Sequence, residues 1–88
     1  MQTMNKKYYV YIILTTTGKL YCGYTDDVEK RYNLHCVGKG AKFTRANKPL
    51  KLVYTREFET KQDAQKEEYR IKHLSRLEKE KLIQNKEV

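Results

Sequence analysis

Two tyrosines, Tyr11 and Tyr21, lie in neighbouring β-favouring runs and are placed to act together. A phenol both donates and accepts hydrogen bonds, and it becomes a base when it loses its proton, although its ordinary pKa is about 10. A single tyrosine on a strand usually indicates a core or interface residue. In the hairpin register derived below, however, both side chains fall on one face, which favours a shared site.

Arg31 and His35 are four residues apart and therefore lie on the same face of a predicted helix. The guanidinium fork of an arginine matches the geometry of a phosphate and keeps its charge at all relevant pH values. The sequence leaves four roles open for His35: orienting a phosphate, transferring a proton, filling the interior, or lying on the surface.

Two neighbouring glutamates, Glu67 and Glu68, complete the candidate residues. The apolar stripe of their helix consists of Ala64, Ile71 and Leu74, and the two carboxylates fall on its two flanks. A carboxylate there is costly unless it is ion-paired or bound to a metal. Periodicity does not choose between the two glutamates.

Three strands and three helices are predicted to position these side chains. The strands cover residues 8–15, 19–24 and 51–58, and the helices cover residues 26–37, 61–73 and 76–85. The helix starts rest on three capping-box pairs, namely Asp26 with Glu29, Thr60 with Asp63, and Ser75 with Glu78. The first helix ends at Gly38-Lys39-Gly40.

The first strand is apolar on both faces, which predicts a central strand. A three-residue hairpin loop with Gly18 in the left-handed region pairs Thr15 with Lys19. Tyr11 then lies opposite Gly23, and Tyr21 becomes its diagonal neighbour at about 7 to 8 Å. In the third strand, alternation predicts two faces, Leu52, Tyr54 and Arg56 on one and Val53, Thr55 and Glu57 on the other.

These elements predict an α+β fold, a two-layer α/β arrangement in which a small, mostly antiparallel three-stranded sheet is flanked by three helices. At 88 residues the chain is expected to form one domain over residues 1–88, with its core at about 8–85. The ends, residues 1–6 and 85–88, are expected to be mobile.

No apolar run approaches the length of a membrane span, and the N-terminus carries no cleavage signal, so we expect a soluble cytoplasmic protein. Cys22 and Cys36 form no metal-type or redox-type pair. We expect both to be reduced, buried thiols.

The net charge of +8 comes from one central stretch. Residues 30–56 contain eight basic and no acidic side chains, whereas the rest of the chain contains eleven of each. Such a stretch is typical of a protein that binds a phosphate backbone, and it lacks the amphipathic helix expected of a membrane-surface protein. The candidate nucleic-acid contacts are Lys30, Lys39, Lys42, Arg45, Lys48 and Lys51.

Taken together, the motifs resemble the GIY-YIG nuclease family in order, spacing and structural context. The motifs are Tyr9-Val10-Tyr11, Tyr21-Cys22-Gly23, Arg31, His35 and a glutamate in a later helix. The resemblance runs from about Tyr8 to Leu77, and it is strongest between Leu20 and His35 and between Gly38 and Arg45. These blocks are similar to small stand-alone bacterial members and to the catalytic subunit of the nuclease that cuts branched DNA.

The resemblance implies the catalytic residues Tyr11, Tyr21, Arg31, His35 and Glu68. It selects Glu68 over Glu67 as the ligand of one Mg²⁺ or Mn²⁺ ion, held mostly through waters. It offers either tyrosine as the general base. Tyr24 stands where some members carry a lysine, and no asparagine matches the one that some nucleases carry after the glutamate.

The implied function is metal-dependent endonuclease-like hydrolysis of nucleic-acid phosphodiester bonds, with DNA favoured over RNA, in DNA repair or processing. The alternative is a non-catalytic or weakly catalytic nucleic-acid-binding module on the same fold. The short chain, without room for a substrate-selecting domain, favours the module. The enzyme is favoured by the presence of both tyrosines, Arg31 and Glu68 together, because a protein that only binds nucleic acid would not require all four. No membrane partner is expected, and the sequence identifies no protein partner.

Overall fold

The computed structural model describes residues 6–87, and the side chains of residues 6–85. Of the ends expected to be mobile, residues 1–5 and 88 lie outside the described part, whereas residues 85–87 are helical. The strands are β1 (Tyr8–Thr15), β2 (Leu20–Thr25) and β3 (Pro49–Phe58). The helices are α1 (Val28–Cys36), α2 (Lys42–Ala46), α3 (Lys61–Lys72) and α4 (Arg76–Glu87).

The three strands form one antiparallel sheet in the order β2-β1-β3, so β1 is the central strand, as predicted. The predicted hairpin register is confirmed, because Tyr11 pairs with Gly23 and Ile13 pairs with Tyr21. Gly18 closes the turn with a φ of 81°, in the left-handed region that favours glycine.

The alternation predicted for β3 is wrong at one point. Ile12 pairs with Tyr54 and Ile13 pairs with Leu52, so the strand has a bulge that contains Val53. An extra residue reverses the side-chain alternation of a strand. As a result, Val53 and Tyr54 pack with the same core cluster, whereas Leu52 is 36% exposed.

Two of the three predicted helix caps are confirmed. The Thr60 hydroxyl accepts a hydrogen bond from the backbone N–H of Asp63 at 3.1 Å. Ser75 and Glu78 form a reciprocal capping box, with bonds of 2.8 and 3.1 Å.

The third prediction, for α1, is wrong by one residue. Asp27 caps this helix by accepting from the backbone N–H of Lys30 at 3.0 Å. Asp26 instead forms an ion pair with Lys6 at 2.9 Å.

A fourth helix, α2, was not predicted. It has only five residues, and its first flanking residue, Ala41, offers no side-chain cap. Neither helical periodicity nor a capping box marks such a short segment in the sequence. This helix nevertheless places two side chains beside the candidate site described below.

The two faces of the sheet pack against different helices. One face forms a core with α3 and α4, in which the buried members are Val10, Ile12, Cys22, Tyr54, Ala64 and Ile71. Successive strand residues point to opposite faces, so Tyr11 and Ile13 face the side of α1 and α2. None of the helices in the described part of the chain is long and apolar enough to cross a membrane.

Both cysteines are free thiols, but only Cys22 is buried. Cys36 is exposed, which corrects the prediction for this residue. It is the last residue of α1, whose one buried residue is His35.

Candidate active site

The hairpin places Tyr11 and Tyr21 side by side, with ring centroids 6.4 Å apart. Tyr11 is buried and Tyr21 is half-buried. Gly23, the cross-strand partner of Tyr11, is required for this packing. A Cβ atom at position 23 would lie 2.5 Å from the Tyr11 hydroxyl oxygen, a distance that real Cβ atoms do not tolerate.

A buried chain of hydrogen bonds begins at the Tyr11 hydroxyl. It lies 2.8 Å from His35 Nε2, and His35 Nδ1 lies 2.6 Å from the hydroxyl of Thr44. Thr44 donates its only proton to the carbonyl oxygen of Ala41 at 3.2 Å. With the Thr44 proton on that carbonyl oxygen, the Thr44 oxygen accepts from Nδ1–H, and Nε2 accepts from Tyr11. This assignment makes His35 a neutral acceptor for the Tyr11 proton.

Gly40 and α2 complete the surroundings of His35. A Cβ atom at position 40 would overlap the His35 ring, so only glycine fits there. In α2, Thr44 holds the ring nitrogen, and Phe43 stacks on Tyr21 with centroids 5.7 Å apart. The sequence interpretation missed Gly40, Phe43 and Thr44. Their one signal was their position inside the segment of strongest family resemblance.

A cleft of about 450 Å³ opens beside the two tyrosines. Its wall includes Tyr11, Tyr21, Arg31 and Glu68, so the fold brings together four of the five residues that were predicted to be catalytic. The fifth, His35, is buried behind the wall, where it is hydrogen-bonded to Tyr11 and packs edge-on against Tyr21, with ring centroids 5.1 Å apart.

The electrostatics of the site oppose ionisation of Tyr11. Burial raises the pKa of Tyr11 well above its ordinary value, and the neighbouring Tyr21 raises it further, whereas the Arg31 guanidinium acts in the opposite direction. Burial also lowers the pKa of His35, and the charge of Arg31 adds to this effect. Both groups are therefore neutral in the resting protein at neutral pH.

The two candidate glutamates have different surroundings. Glu67 lies 2.6 Å from Arg70 and 3.6 Å from Arg56, and the Arg70 guanidinium lowers the pKa of this carboxyl group. Glu68 lines the cleft and is ion-paired with Lys72 at 3.4 Å. Glu67 is thus held in a structural ion-pair cluster, and Glu68 is the carboxylate that faces the cleft.

The donor set of the cleft fits a magnesium-type ion. In the described residues no group of three or more His, Cys, Asp or Glu side chains converges on one point. A caged zinc or calcium site would need such a group, whereas Mg²⁺ keeps several waters and binds through one or two carboxylates together with substrate phosphates. The cleft wall has two carboxylates, Asp26 and Glu68, and Asp26 is ion-paired with Lys6 at 2.9 Å. Glu68 on an open cleft suits this mode of binding.

The six predicted nucleic-acid contacts are exposed, and none of them lines the cleft. The lysines at the cleft are Lys6 and Lys61, which lie outside the basic stretch. Charge counting missed them because the flanking segments contain as many acids as bases. The basic stretch therefore supplies a surface outside the cleft, apart from Arg31.

Comparison with known proteins identifies the family of this chain. The chain matches the model of the GIY-YIG catalytic domain over residues 7–82. It is 44% identical to a UPF0213 protein of Limosilactobacillus reuteri, over 90% of this chain and 84% of that protein. It is 46% identical to a UPF0213 protein of Oceanobacillus iheyensis, over 96% and 98% of the two chains.

The solution NMR structure of the UPF0213 protein BH0048 from Bacillus halodurans has the same fold. The TM-score is 0.61 at 48% identity, and the match covers 91% of this chain and 85% of that one. The chain therefore belongs to the GIY-YIG family, which is of nuclease type, and within it to the small UPF0213 proteins.

Proposed function

We propose that this protein is a metal-dependent endonuclease that hydrolyses phosphodiester bonds in nucleic acid. The observation that carries the proposal is the convergence of Tyr11, Tyr21, Arg31 and Glu68 on one cleft. Hydrolysis of a phosphodiester needs a proton acceptor for water, a fixed cation for the phosphoryl oxygens, and neutralisation of the charge that develops. The four side chains supply these functions.

Tyr11 is the proposed proton acceptor, because it alone of the two tyrosines is hydrogen-bonded to His35. As the phenol oxygen takes a proton from water, the phenol proton moves to His35 Nε2. The hydroxide oxygen attacks phosphorus, and the bond to the leaving oxygen breaks. The leaving oxygen keeps the bonding electron pair and takes a proton from the solvent of the open cleft. This transfer avoids a phenolate, which the raised pKa of Tyr11 disfavours.

Arg31 and Tyr21 bind the phosphate in this proposal. The Arg31 fork donates to two phosphoryl oxygens and keeps its charge throughout. Tyr21 also lines the cleft, so its hydroxyl is a further donor to the phosphate. Glu68 would hold the divalent ion, Mg²⁺ or Mn²⁺, which when bound neutralises charge on the phosphate.

We further propose a cytoplasmic protein that acts on DNA rather than RNA, in repair or processing. The preference for DNA rests on the family resemblance. The exposed free thiol of Cys36 fits a reducing compartment, where such thiols persist. The six exposed cations outside the cleft would hold the flanking nucleic acid.

The second candidate is a nucleic-acid-binding module without catalysis. Its support is the separation between the cleft and the exposed cations, because binding through those cations does not require the cleft. Tyr24, which stands in place of a family lysine, removes one cation from the wall of the cleft.

A cleavage assay separates the two candidates. Labelled branched, nicked and single-stranded DNA would be incubated with Mg²⁺ or Mn²⁺, and with EDTA as the metal-free reference. We expect Glu68→Gln to abolish metal-dependent cleavage and Glu67→Gln, the adjacent control, to retain it. If wild type cleaves nothing, or if both variants cleave equally, the enzyme proposal is wrong.

A further inference from the structure

Phe43 is an aromatic side chain at the edge of the cleft that the reaction described above does not use. Its ring is stacked on Tyr21, with an interplanar angle of 21° and centroids 5.7 Å apart. Tyr21 in turn lines the cleft. Phe43 still remains 38% exposed, although it belongs to a helix that buries its neighbour Thr44.

Exposure of one apolar side chain is ordinary in itself, so the position of the ring carries the argument. Lys42 and Arg45 lie on the same short helix, and Lys39 and Lys48 lie just before and just after it. All four cations are exposed. The ring therefore stacks on a residue of the cleft wall and belongs to a segment whose exposed cations attract phosphates.

We infer that Phe43 is a stacking surface for an unpaired nucleobase next to the scissile phosphate, so that the preferred substrate is a single-stranded segment. This inference rests on the proposed function. Aromatic rings bind single-stranded nucleic acid by stacking on successive bases beside a positively charged surface. A base inside a duplex has both of its faces covered by its neighbours and cannot use such a ring.

A purely structural role for Phe43 makes a different prediction. If the ring only covers Tyr21, any apolar side chain of similar volume will serve, and base pairing in the ligand will not matter. If the ring stacks on a base, binding must depend on an aromatic face in the protein and on a base in the ligand.

Two substitutions separate these roles. Phe43→Leu keeps an apolar cover over Tyr21 but removes the aromatic face. Phe43→Trp keeps an aromatic face and introduces the only indole, because the chain contains no tryptophan. Tyr69→Leu is the matched control, since Tyr69 is an aromatic residue that is 68% exposed and does not line the cleft.

Binding would be measured in EDTA, so that the result does not depend on cleavage. The ligands are a single-stranded oligonucleotide, the duplex of the same sequence, and a single strand of equal length whose central residues are abasic. We expect Phe43→Leu to weaken binding of the single strand about 5- to 150-fold, the range of one lost stacked base. Binding of the abasic strand and of the duplex should be unchanged, and Tyr69→Leu should bind all three ligands as wild type does.

Fluorescence of the Phe43→Trp variant gives an independent measurement. The intact single strand should quench the indole, whereas the abasic strand should not. Equal losses on intact and abasic strands, no loss with Phe43→Leu, or equal quenching by both strands would overturn the inference. If wild type fails to cleave DNA but these binding differences are found, the proposed catalysis fails while the stacking surface stands.

Discussion

The Tyr11 hydroxyl lies 2.8 Å from His35 Nε2 in the interior of the protein, between the sheet and α1. The other nitrogen of the ring lies 2.6 Å from Thr44. The imidazole is therefore held at both nitrogens, and its tautomer is fixed by its partners. This contact makes Tyr11 different from Tyr21, although the sequence pattern treats the two tyrosines alike.

Removing the Tyr11 hydroxyl should destabilise the fold. Tyr11→Phe leaves His35 Nε2 buried without a donor, and an unpaired buried polar group costs about 1–3 kcal/mol. Tyr21→Phe is the control and should change the free energy of unfolding by no more than about 0.5 kcal/mol. Urea denaturation measures both values. Equal effects of the two substitutions would contradict the hydrogen bond to His35.

The stability of the protein should fall in mild acid because of His35. Burial and Arg31 lower the pKa of His35 in the folded protein below the ordinary 6.5, which applies to the unfolded chain. Between the folded-state pKa and 6.5, the unfolded chain therefore binds more protons than the folded protein. The free energy of unfolding therefore rises with pH through this window and is constant, as far as His35 is concerned, above 6.5. Denaturation of wild type and His35→Gln from about pH 5 to about pH 7.5 measures this contribution. If His35→Gln has the same pH dependence of the free energy of unfolding as wild type, groups other than His35 cause that dependence.

Sequence reasoning succeeded where local signals are strong. The turn at Gly18 fixed the hairpin register, and through it the shared face of Tyr11 and Tyr21. It failed at α2, which is too short for periodicity, and at the Val53 bulge, which has no signature in alternation. The cap of α1 was misplaced because two adjacent aspartates fit the pattern and only tertiary structure pairs one of them with Lys6.

The features of the site that the sequence did not predict are contacts between residues that are distant along the chain. Nothing local to Thr44 or Gly40 indicates that a histidine ring will lie against them. Periodicity likewise left Glu67 and Glu68 equivalent, because their difference arises from Arg56 on β3 and from the cleft. Local patterns identify elements, whereas such contacts depend on how the elements pack.

Gly40→Ala should destabilise the protein through a clash with the His35 ring. Overpacking of this kind typically costs about 1–3 kcal/mol. In the His35→Ala background the clash is gone, so the same substitution should cost less. A double-mutant cycle by urea denaturation measures the difference, for which about 0.5–3 kcal/mol is the usual range between residues in contact. Additive effects would show that the two residues do not meet.

The basic surface should determine how binding responds to salt. Each phosphate contact that is lost reduces the slope of log K against log salt by about 0.9 on duplex DNA and about 0.7 on single strands. We expect a slope reduced by about two to four when all four cations around α2 are neutralised to glutamine. The substituted residues are Lys39, Lys42, Arg45 and Lys48.

Four lysines outside the basic stretch, changed in the same way, form the control for this measurement. They are Lys19, Lys66, Lys79 and Lys81. Titrations of both variants in EDTA at several salt concentrations give the slopes. The two variants lose equal charge, so equal slopes would mean that net charge rather than the surface around α2 determines binding.

Arg31 should act on the transition state more than on binding. Losing one well-placed electrostatic stabiliser costs about 100- to 1000-fold in rate, so Arg31→Ala should lower kcat/KM by about that factor. Its effect on Kd in EDTA should be small, because Arg31 is one of eight cations in residues 30–56. Arg31→Lys should restore only part of the rate, since an ammonium group keeps the charge but lacks the fork that holds two phosphoryl oxygens.

Arg45→Ala is the matched control, because it removes an exposed guanidinium from the same basic stretch but does not alter the wall of the cleft. We expect it to weaken binding and to leave the rate at saturating DNA unchanged. Single-turnover cleavage with Mg²⁺, measured beside binding in EDTA, separates the two effects for each variant. If Arg31→Ala loses affinity by the same factor as it loses kcat/KM, Arg31 is only a phosphate contact, as Arg45 is. A loss of rate at saturating DNA that only Arg31→Ala shows would place the charge of Arg31 on the reacting phosphate, which is the result we expect from its position in the wall of the cleft beside Tyr11.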